Sequence, residues 1–315
     1  MLVFGRKLTP IRACVLTYAA LFIALVLFQF PYHTDPVSKG RRAGLQHFYD
    51  QAYAPAETPE AAAKEEEYVT TARKFAETYG VEEGVRGFVK RYGLENKSVL
   101  DVGSGRGYLQ DVVSDYTGLD ISGTVRRFYH KPFVQASATE MPFEDNRFDA
   151  IWSVRVLEHV PNPEQMLSEM RRVLKPGGLL FLAPAWYCTP WAAQGYPVRP
   201  YSDFGLTGKL IKATMPLRES ESLAVLYRYP IRGLRWADWK LRRGPTSFHY
   251  WLLTPNYDQY WMADSDALNS MDAYECYLWF ASRGDECLNC PGAWGEFVNA
   301  QTVMVVRVKK PNATQ

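Results

Sequence analysis

The sequence predicts an α/β protein: a doubly wound, mostly parallel sheet with an antiparallel C-terminal strand, preceded by one transmembrane helix. Three observations support this. Apolar runs of strand length alternate with helix-length segments from residue 98 to residue 185, the rhythm of a parallel sheet covered by helices on both faces. The first of these runs leads straight into a glycine turn. Near the N-terminus an apolar stretch is almost unbroken.

Ser98-Val99-Leu100-Asp101-Val102 is the first strand, followed by Gly103-Ser104-Gly105-Arg106-Gly107 and an expected short helix from Tyr108 to about Tyr116. Gly118 to Ser122, Pro132 to Ala136 and Phe148 to Ser153 follow as strands, and Glu164 to Leu174 as a helix. Lys175-Pro176-Gly177-Gly178 stops that helix before a fifth strand, Leu179 to Ala183. The rhythm then lapses through a stretch dense in Trp, Tyr, Pro and Arg, so residues 185–265 are expected to be an insertion that covers a site. Asp272 to Arg283 is helical in pattern, Gly284 marks a turn, and Thr302 to Val308 closes as a strand with Asp285 to Cys287 as its antiparallel partner.

Ahead of this, residues 1–10 form a short tail. Residues 11–30 include ACVLTYAALFIALVLFQF from Ala13 to Phe30, and so approach the roughly 20 residues that a membrane-crossing helix needs. A single-pass membrane anchor is the expectation. A cleaved signal peptide is the rival, although Gln29 to His33 lacks a small-x-small cleavage site. Arg6, Lys7 and Arg12 on one side are balanced by Lys39, Arg41 and Arg42 on the other, so charge does not orient the helix. Residues 31–67, rich in Ala, Pro, Glu and Lys, are expected to be a linker or stalk. Residues 68–315 are expected to form the folded domain, opened by helical spacing through Tyr68, Ala72, Phe75, Tyr79, Val85, Phe88, Val89 and Tyr92.

The 315 residues are 47% apolar and 22% charged, a globular composition, and a net charge of +2 without a basic block speaks against a nucleic-acid partner. Five cysteines at irregular spacing make no framework. Cys287-Leu288-Asn289-Cys290 has zinc-like spacing but no second pair, so no metal is expected. Asn96-Lys97-Ser98 and Asn312-Ala313-Thr314 match the glycosylation pattern, which is short enough to arise by chance.

A glycine turn between a strand and a helix brings backbone close to a ligand and aims helix N-terminal amides at it. Spacing narrows the ligand. In a dinucleotide site the third glycine falls one residue later than Gly107, where this chain has Tyr108, and no Lys-Ser or Lys-Thr follows as in a phosphate-binding P-loop.

Val99 to Gly107 resembles the first motif of the class I methyltransferases dependent on S-adenosylmethionine (SAM), of the methyltransferase type 11 kind. Later signatures agree: Gly118-Leu119-Asp120-Ile121-Ser122, Ser137 to Phe143, Ser153 to Val160, and Arg172 to Gly178. The resemblance implies a Rossmann-like sheet, SAM as cofactor, and a site made by Asp101, Gly103, Ser104, Gly105, Gly107, Asp120, Ile121, Ser137 and Ala138. Asp120 would accept from the ribose hydroxyls. Ser137 stands where the family often carries an acid, and a hydroxyl is a weaker acceptor for an adenine amine. Because SAM is made in the cytosol, the domain is expected there.

For a hydroxyl nucleophile the candidate bases are His159, Tyr187 and His249; imidazole titrates near neutrality, but the signature around His159 spans methyltransferases of differing chemistry, which favours a structural hydrogen-bonding role for it over that of base. Asn256-Tyr257-Asp258, Asp264 to Ala267 and Trp279 to Gly284 are similar to the C-terminal part of bacterial methyltransferases of surface polysaccharide synthesis. That similarity implies a small-molecule, sugar or glycolipid acceptor; alternatively the insertion's aromatic residues form a second core or lie at a bilayer surface. A different class also stays open, a catalytically inactive, membrane-tethered interaction protein with the same fold.

Overall fold

A computed structural model describes residues 2–3, 6–7, 9–28, 39–54, 70, 80–193, 195–242, 244–255 and 264–310. Its centre is a seven-stranded sheet. In chain order the sheet strands are β1 (Ser98–Val102), β2 (Asp115–Asp120), β3 (Phe133–Gln135), β4 (Phe148–Val154) and β5 (Leu174–Ala183), with β8 (Glu286–Cys287) and β9 (Met304–Arg307) at the far end. The spatial order is β8-β9-β5-β4-β1-β2-β3. β1 to β5 run parallel, and β9 and β8 join antiparallel to their neighbours. β6 (Tyr250–Leu252) and β7 (Asn269–Met271) make a separate antiparallel pair.

Successive residues of these strands face opposite layers, as the two-residue period requires. Leu100, Ile151, Leu180 and Leu182 pack against Met166, Leu167 and Met170 of α4 (Pro163–Val173) and against Trp279 and Phe280 of α7 (Ala273–Ala281). Val99, Trp152, Leu179 and Phe181 face the other way, onto Val85, Phe88 and Val89 of α3 (Val81–Tyr92). α4 starts where Asn162 accepts from the Gln165 amide and Pro163 fills the first helical position, and it ends on Arg171 and Arg172, which suit the negative end of the helix. The strand expected from Leu179 begins earlier, at Leu174, which pairs with Phe148 of β4 before the register shifts to Leu179 opposite Ala150.

The membrane anchor expected at residues 11–30 is corrected. Among the described residues no helix is long and apolar enough to cross a membrane. α1 (Pro10–Phe28) instead packs on α6 (Glu221–Arg242), and the Tyr18 hydroxyl donates to the Leu226 carbonyl at 2.8 Å. Pro230 inside α6 has no N–H for that carbonyl, so the α1 tyrosine satisfies a group the helix leaves open. The single-pass membrane localisation inferred from the anchor falls with it.

Two further differences position the site. The stretch expected to be a stalk contains α2 (Lys39–Ala52), with Leu45 buried, whereas residues 31–38 and 55–67 lie outside the described residues, as do most of the helical positions expected from 68 to 79. The helix expected after the glycine turn is absent: residues 108–114 form successive turns, and the chain enters β2 at Asp115. Gln110 holds these turns by donating to the Phe128 carbonyl and accepting from the His130 amide, while Ser114 donates to the Glu95 carbonyl.

The insertion is helical. α5 (Leu206–Ala213) and α6 precede β6, and α6 is bound to α7 by Arg232 with Asp272 and by Arg235 with Glu275, each at 2.8 Å. α8 (Ala293–Val298) lies between β8 and β9. Cys287 and Cys290 form a disulfide, so their sulfurs are not a zinc pair; Cys14, Cys188 and Cys276 are free.

Candidate active site

The glycine turn sits at the carboxyl edge of β1, folded onto the end of β2. Gly103, Gly105 and Gly107 have φ of 73°, 50° and 68°, a region in which a side chain is strained. At Gly103 space is also exhausted, since a Cβ there would lie 2.2 Å from Val156 Cγ2. The amides of Gly103 and Ser104 donate to the Leu119 carbonyl, and the Gly105 amide donates to Asp120 Oδ2 at 2.9 Å. With no helix following, the turn meets a ligand with loop backbone rather than with a helix N-terminus.

Asp120 is buried, and burial raises its carboxyl above the usual range while the amides of Ser122, Gly105 and Ile121 pull it back. Oδ1 accepts from Ser122 and Oδ2 from Gly105, and with the Ile121 amide also acting on the carboxylate it still has acceptor capacity for a ligand hydroxyl. Asp101 lies beneath, accepting from the Tyr116 hydroxyl at 2.8 Å, and burial pushes it up to about 7. Ser104 accepts from Tyr129, whose ring packs under Gly107 and Gly118. Ile121 offers its carbonyl to Gln135, Ser137 pairs with Thr139 at 2.8 Å, and Ala138 packs on the core.

Beyond β4 the chain makes a single 3-10 turn, Leu157–His159. His159 Nδ1 is buried and lies 3.5 Å from Asp266 Oδ2, and Nε2 lies 3.9 Å from Glu158 Oε1. Burial alone would lower the imidazole, but Asp266, Glu158 and Asp264 outweigh it and raise its pKa above the ordinary histidine value. Glu158 is fully buried and accepts from the Ala185 amide, and burial raises its carboxyl too. Arg155 and Asp264 approach at 3.9 Å and both have positive φ, 57° and 66°. Non-glycine residues in that region cost about 1–3 kcal/mol each and gather at functional sites.

α2 lies over this assembly. The Tyr49 hydroxyl donates to Asp266 Oδ2 at 2.8 Å, and its ring stands edge-on to His159 at 6.3 Å. Asp50 accepts from Ser122 Oγ at 2.8 Å. The Tyr53 hydroxyl stands 3.2 Å from where a Gly105 Cβ would be.

Of the other candidate bases, Tyr187 is committed to Asp272 and Arg232, and burial raises its hydroxyl well above the usual range. His249 is exposed at the rim of a cavity of about 390 Å³ between α6, β6 and the start of α7. Tyr187, Cys188, Tyr227, Arg228 and Trp251 also line it. Cys188 donates to the Ala185 carbonyl, and the Ala185 amide donates to Glu158, so the cavity wall is joined to the His159 cluster through one residue.

Tyr49, Asp50, Tyr53, Asp264 and Asp266 were not read as site residues from the sequence. Asp264 and Asp266 lie in the run Asp264 to Ala267, which carries a resemblance but no sign of their role, and the other three in a stretch whose composition indicates a linker. Asn256 to Asp258, part of that C-terminal resemblance, lie outside the described residues.

Residues 100–182 match the family described as the methyltransferase domain. An uncharacterised methyltransferase of Mycolicibacterium gilvum is 32% identical over 181 residues, which is 48% of this chain and 71% of that protein. One from Mycobacterium tuberculosis is 31% identical over 154 residues, 45% of this chain and 61% of the relative. Among solved structures, a SAM-dependent methyltransferase from Aquifex aeolicus is 24% identical with a TM-score of 0.29, covering 34% of this chain and 64% of that one. The chain belongs to the methyltransferase family, and SAM is its expected cofactor.

The residues present fit that cofactor. The Asp120 carboxylate keeps acceptor capacity for a ribose hydroxyl, and the three left-handed glycines leave a cradle that side chains would fill. Among the described residues no group of His, Cys, Asp and Glu is arranged to hold a metal ion.

Proposed function

We propose that this methyltransferase acts on a hydroxyl of a small-molecule acceptor, with Asp120, the glycine turn and the loop at Ser137 and Ala138 holding the cofactor and His159 as general base. The observation that carries the reading is the pairing of His159 with Asp266 beside Val156, the residue packed on Gly103. Bound SAM supplies a methyl group on a positively charged sulfur. The protein's part is to align an acceptor oxygen with that methyl and to exclude water. As the carbon–oxygen bond forms and the carbon–sulfur bond breaks, the hydroxyl proton passes to His159 Nε2, while Asp266 faces Nδ1 and stabilises the resulting imidazolium.

The acceptor side is the cavity lined by Tyr187, Tyr227, Arg228 and Trp251. Aromatic faces alongside charged hydrogen-bonding groups suit a sugar or the headgroup of a glycolipid. The test is release of S-adenosylhomocysteine when the full chain is given SAM and a panel of saccharides and glycolipids, beside His159→Asn. Turnover that depends on a saccharide and is lost in the variant supports the reading. Turnover retained by the variant removes His159 as base, and turnover only with non-saccharide acceptors removes the sugar.

A further inference from the structure

Three side chains of the N-terminal helical segment reach three separate loops of the site. Tyr49 and Tyr53, four residues apart and so on one side of the helical turn, meet Asp266 and the glycine turn, and Asp50 between them meets Ser122. The helix therefore touches the cofactor cradle at two places and the His159 cluster at a third.

The atom that Tyr49 takes is decisive. Asp266 Oδ2 is also the oxygen nearest His159 Nδ1, yet it stands 2.8 Å from the tyrosine hydroxyl and 3.5 Å from the imidazole, and Nδ1 makes no hydrogen bond. A hydrogen bond needs a shorter approach than that. We propose that Tyr49 is a positioning residue for the base: by donating to Asp266 Oδ2 it holds that carboxylate at ion-pair rather than hydrogen-bond distance from His159, and so limits how strongly the imidazolium is stabilised.

The other groups around the imidazole do not replace this control. Glu158 lies on its Nε2 side and accepts from Ala185; Asp264 faces Arg155; Cys188 is a buried thiol. Among the described residues, Asp266 is the carboxylate shared between His159 and α2. The same helix carries Asp50, which meets Ser122 beside the cradle, and Tyr53 follows directly after its last residue, so one segment borders both the cradle and the base.

The inference rests on His159 acting as base, but its test does not need the acceptor. The full chain, labelled with ¹³C at histidine Cε1, is titrated by NMR, with the His159 signal assigned by its loss in His159→Asn. Tyr49→Phe keeps the ring against His159 and removes only the donor. Freed of that donor, Asp266 attracts the imidazolium more strongly, so the His159 midpoint moves to higher pH in Tyr49→Phe. In an Asp266→Asn background the same substitution leaves the midpoint in place. Equal midpoints in wild type and Tyr49→Phe, or an equal shift with and without Asp266, overturn the proposal and leave Tyr49 a structural support. If His159→Asn retains turnover the base assignment fails, and that readout is separate from the titration.

Discussion

The hydroxyl of Tyr18 in α1 donates to the main-chain carbonyl of Leu226 in α6, the carbonyl that Pro230, four residues on, cannot serve. A helix that the sequence marks as a membrane span is thereby fastened to the insertion by one polar group at a helix defect. Losing such a bond costs about 1 kcal/mol. We expect Tyr18→Phe to lower stability by about that much in urea unfolding, and to have almost no effect in a Pro230→Ala background, where residue 230 regains an N–H for Leu226. An equal loss in both backgrounds would mean the hydroxyl acts elsewhere.

Asp120→Ala removes both acceptor oxygens from the cradle and leaves the Gly105 and Ser122 amides without partners. Hydrogen bonds to a charged group contribute about 1.5–3 kcal/mol each, so SAM affinity measured by calorimetry should fall by roughly a hundredfold or more. Unchanged affinity would show that the diol is held by another residue.

At Gly103 two penalties coincide, a φ of 73° and a Cβ that would collide with Val156. Gly103→Ala is expected to destabilise by about 2–5 kcal/mol, combining left-handed strain with overpacking. Adding Val156→Ala should recover the overpacking share and leave the strain, as a double-mutant cycle by chemical denaturation would read.

Asp101 sets a pH dependence whose sign follows from burial, which pushes its carboxyl up to about 7 from an ordinary 3.8. Between those values the folded protein holds a proton that the unfolded chain has released, so this group's contribution to stability falls as pH rises from about 4 to about 7. Asp101→Asn keeps an acceptor for Tyr116 and removes the ionisation. Urea midpoints at pH 5 and pH 8 should therefore differ less in the variant than in wild type, and an unchanged difference would place the ionisation elsewhere.

Arg232 and Asp272 form a nearly buried pair at the start of α7, where Asp272 also accepts from the Tyr274 amide and from Tyr187. Removing one member of a buried pair leaves an uncompensated charge and costs about 3–5 kcal/mol. Arg232→Met should show a loss of that size in denaturant unfolding, and a much smaller one would mean that water reaches the pair.

The strands from Ser98 to Ala183, the glycine turn, Asp120 and the antiparallel strand at Met304 were legible in the sequence because each rests on residues close together in the chain. Short apolar runs bounded by turn residues, glycines where φ must be positive, and an acid at a strand end need no knowledge of the rest of the molecule. The missing helix after Gly107 shows the limit, since the side-chain bonds of Gln110 and Ser114 to distant loops replace it with turns.

Local pattern thus gave the central strands in chain sequence and the glycine turn, and the resemblance of those motifs to a known family implied the family and the cofactor. Only the tertiary structure decided that α1 lies against α6, that α2 covers the cradle, and that Asp266 faces His159 while bonded to Tyr49. Those pairings join residues far apart in the chain, and an apolar or Ala-rich segment has the same composition whether it meets lipid, solvent or another helix. Its partner is chosen by which polar and apolar groups the completed fold brings within reach.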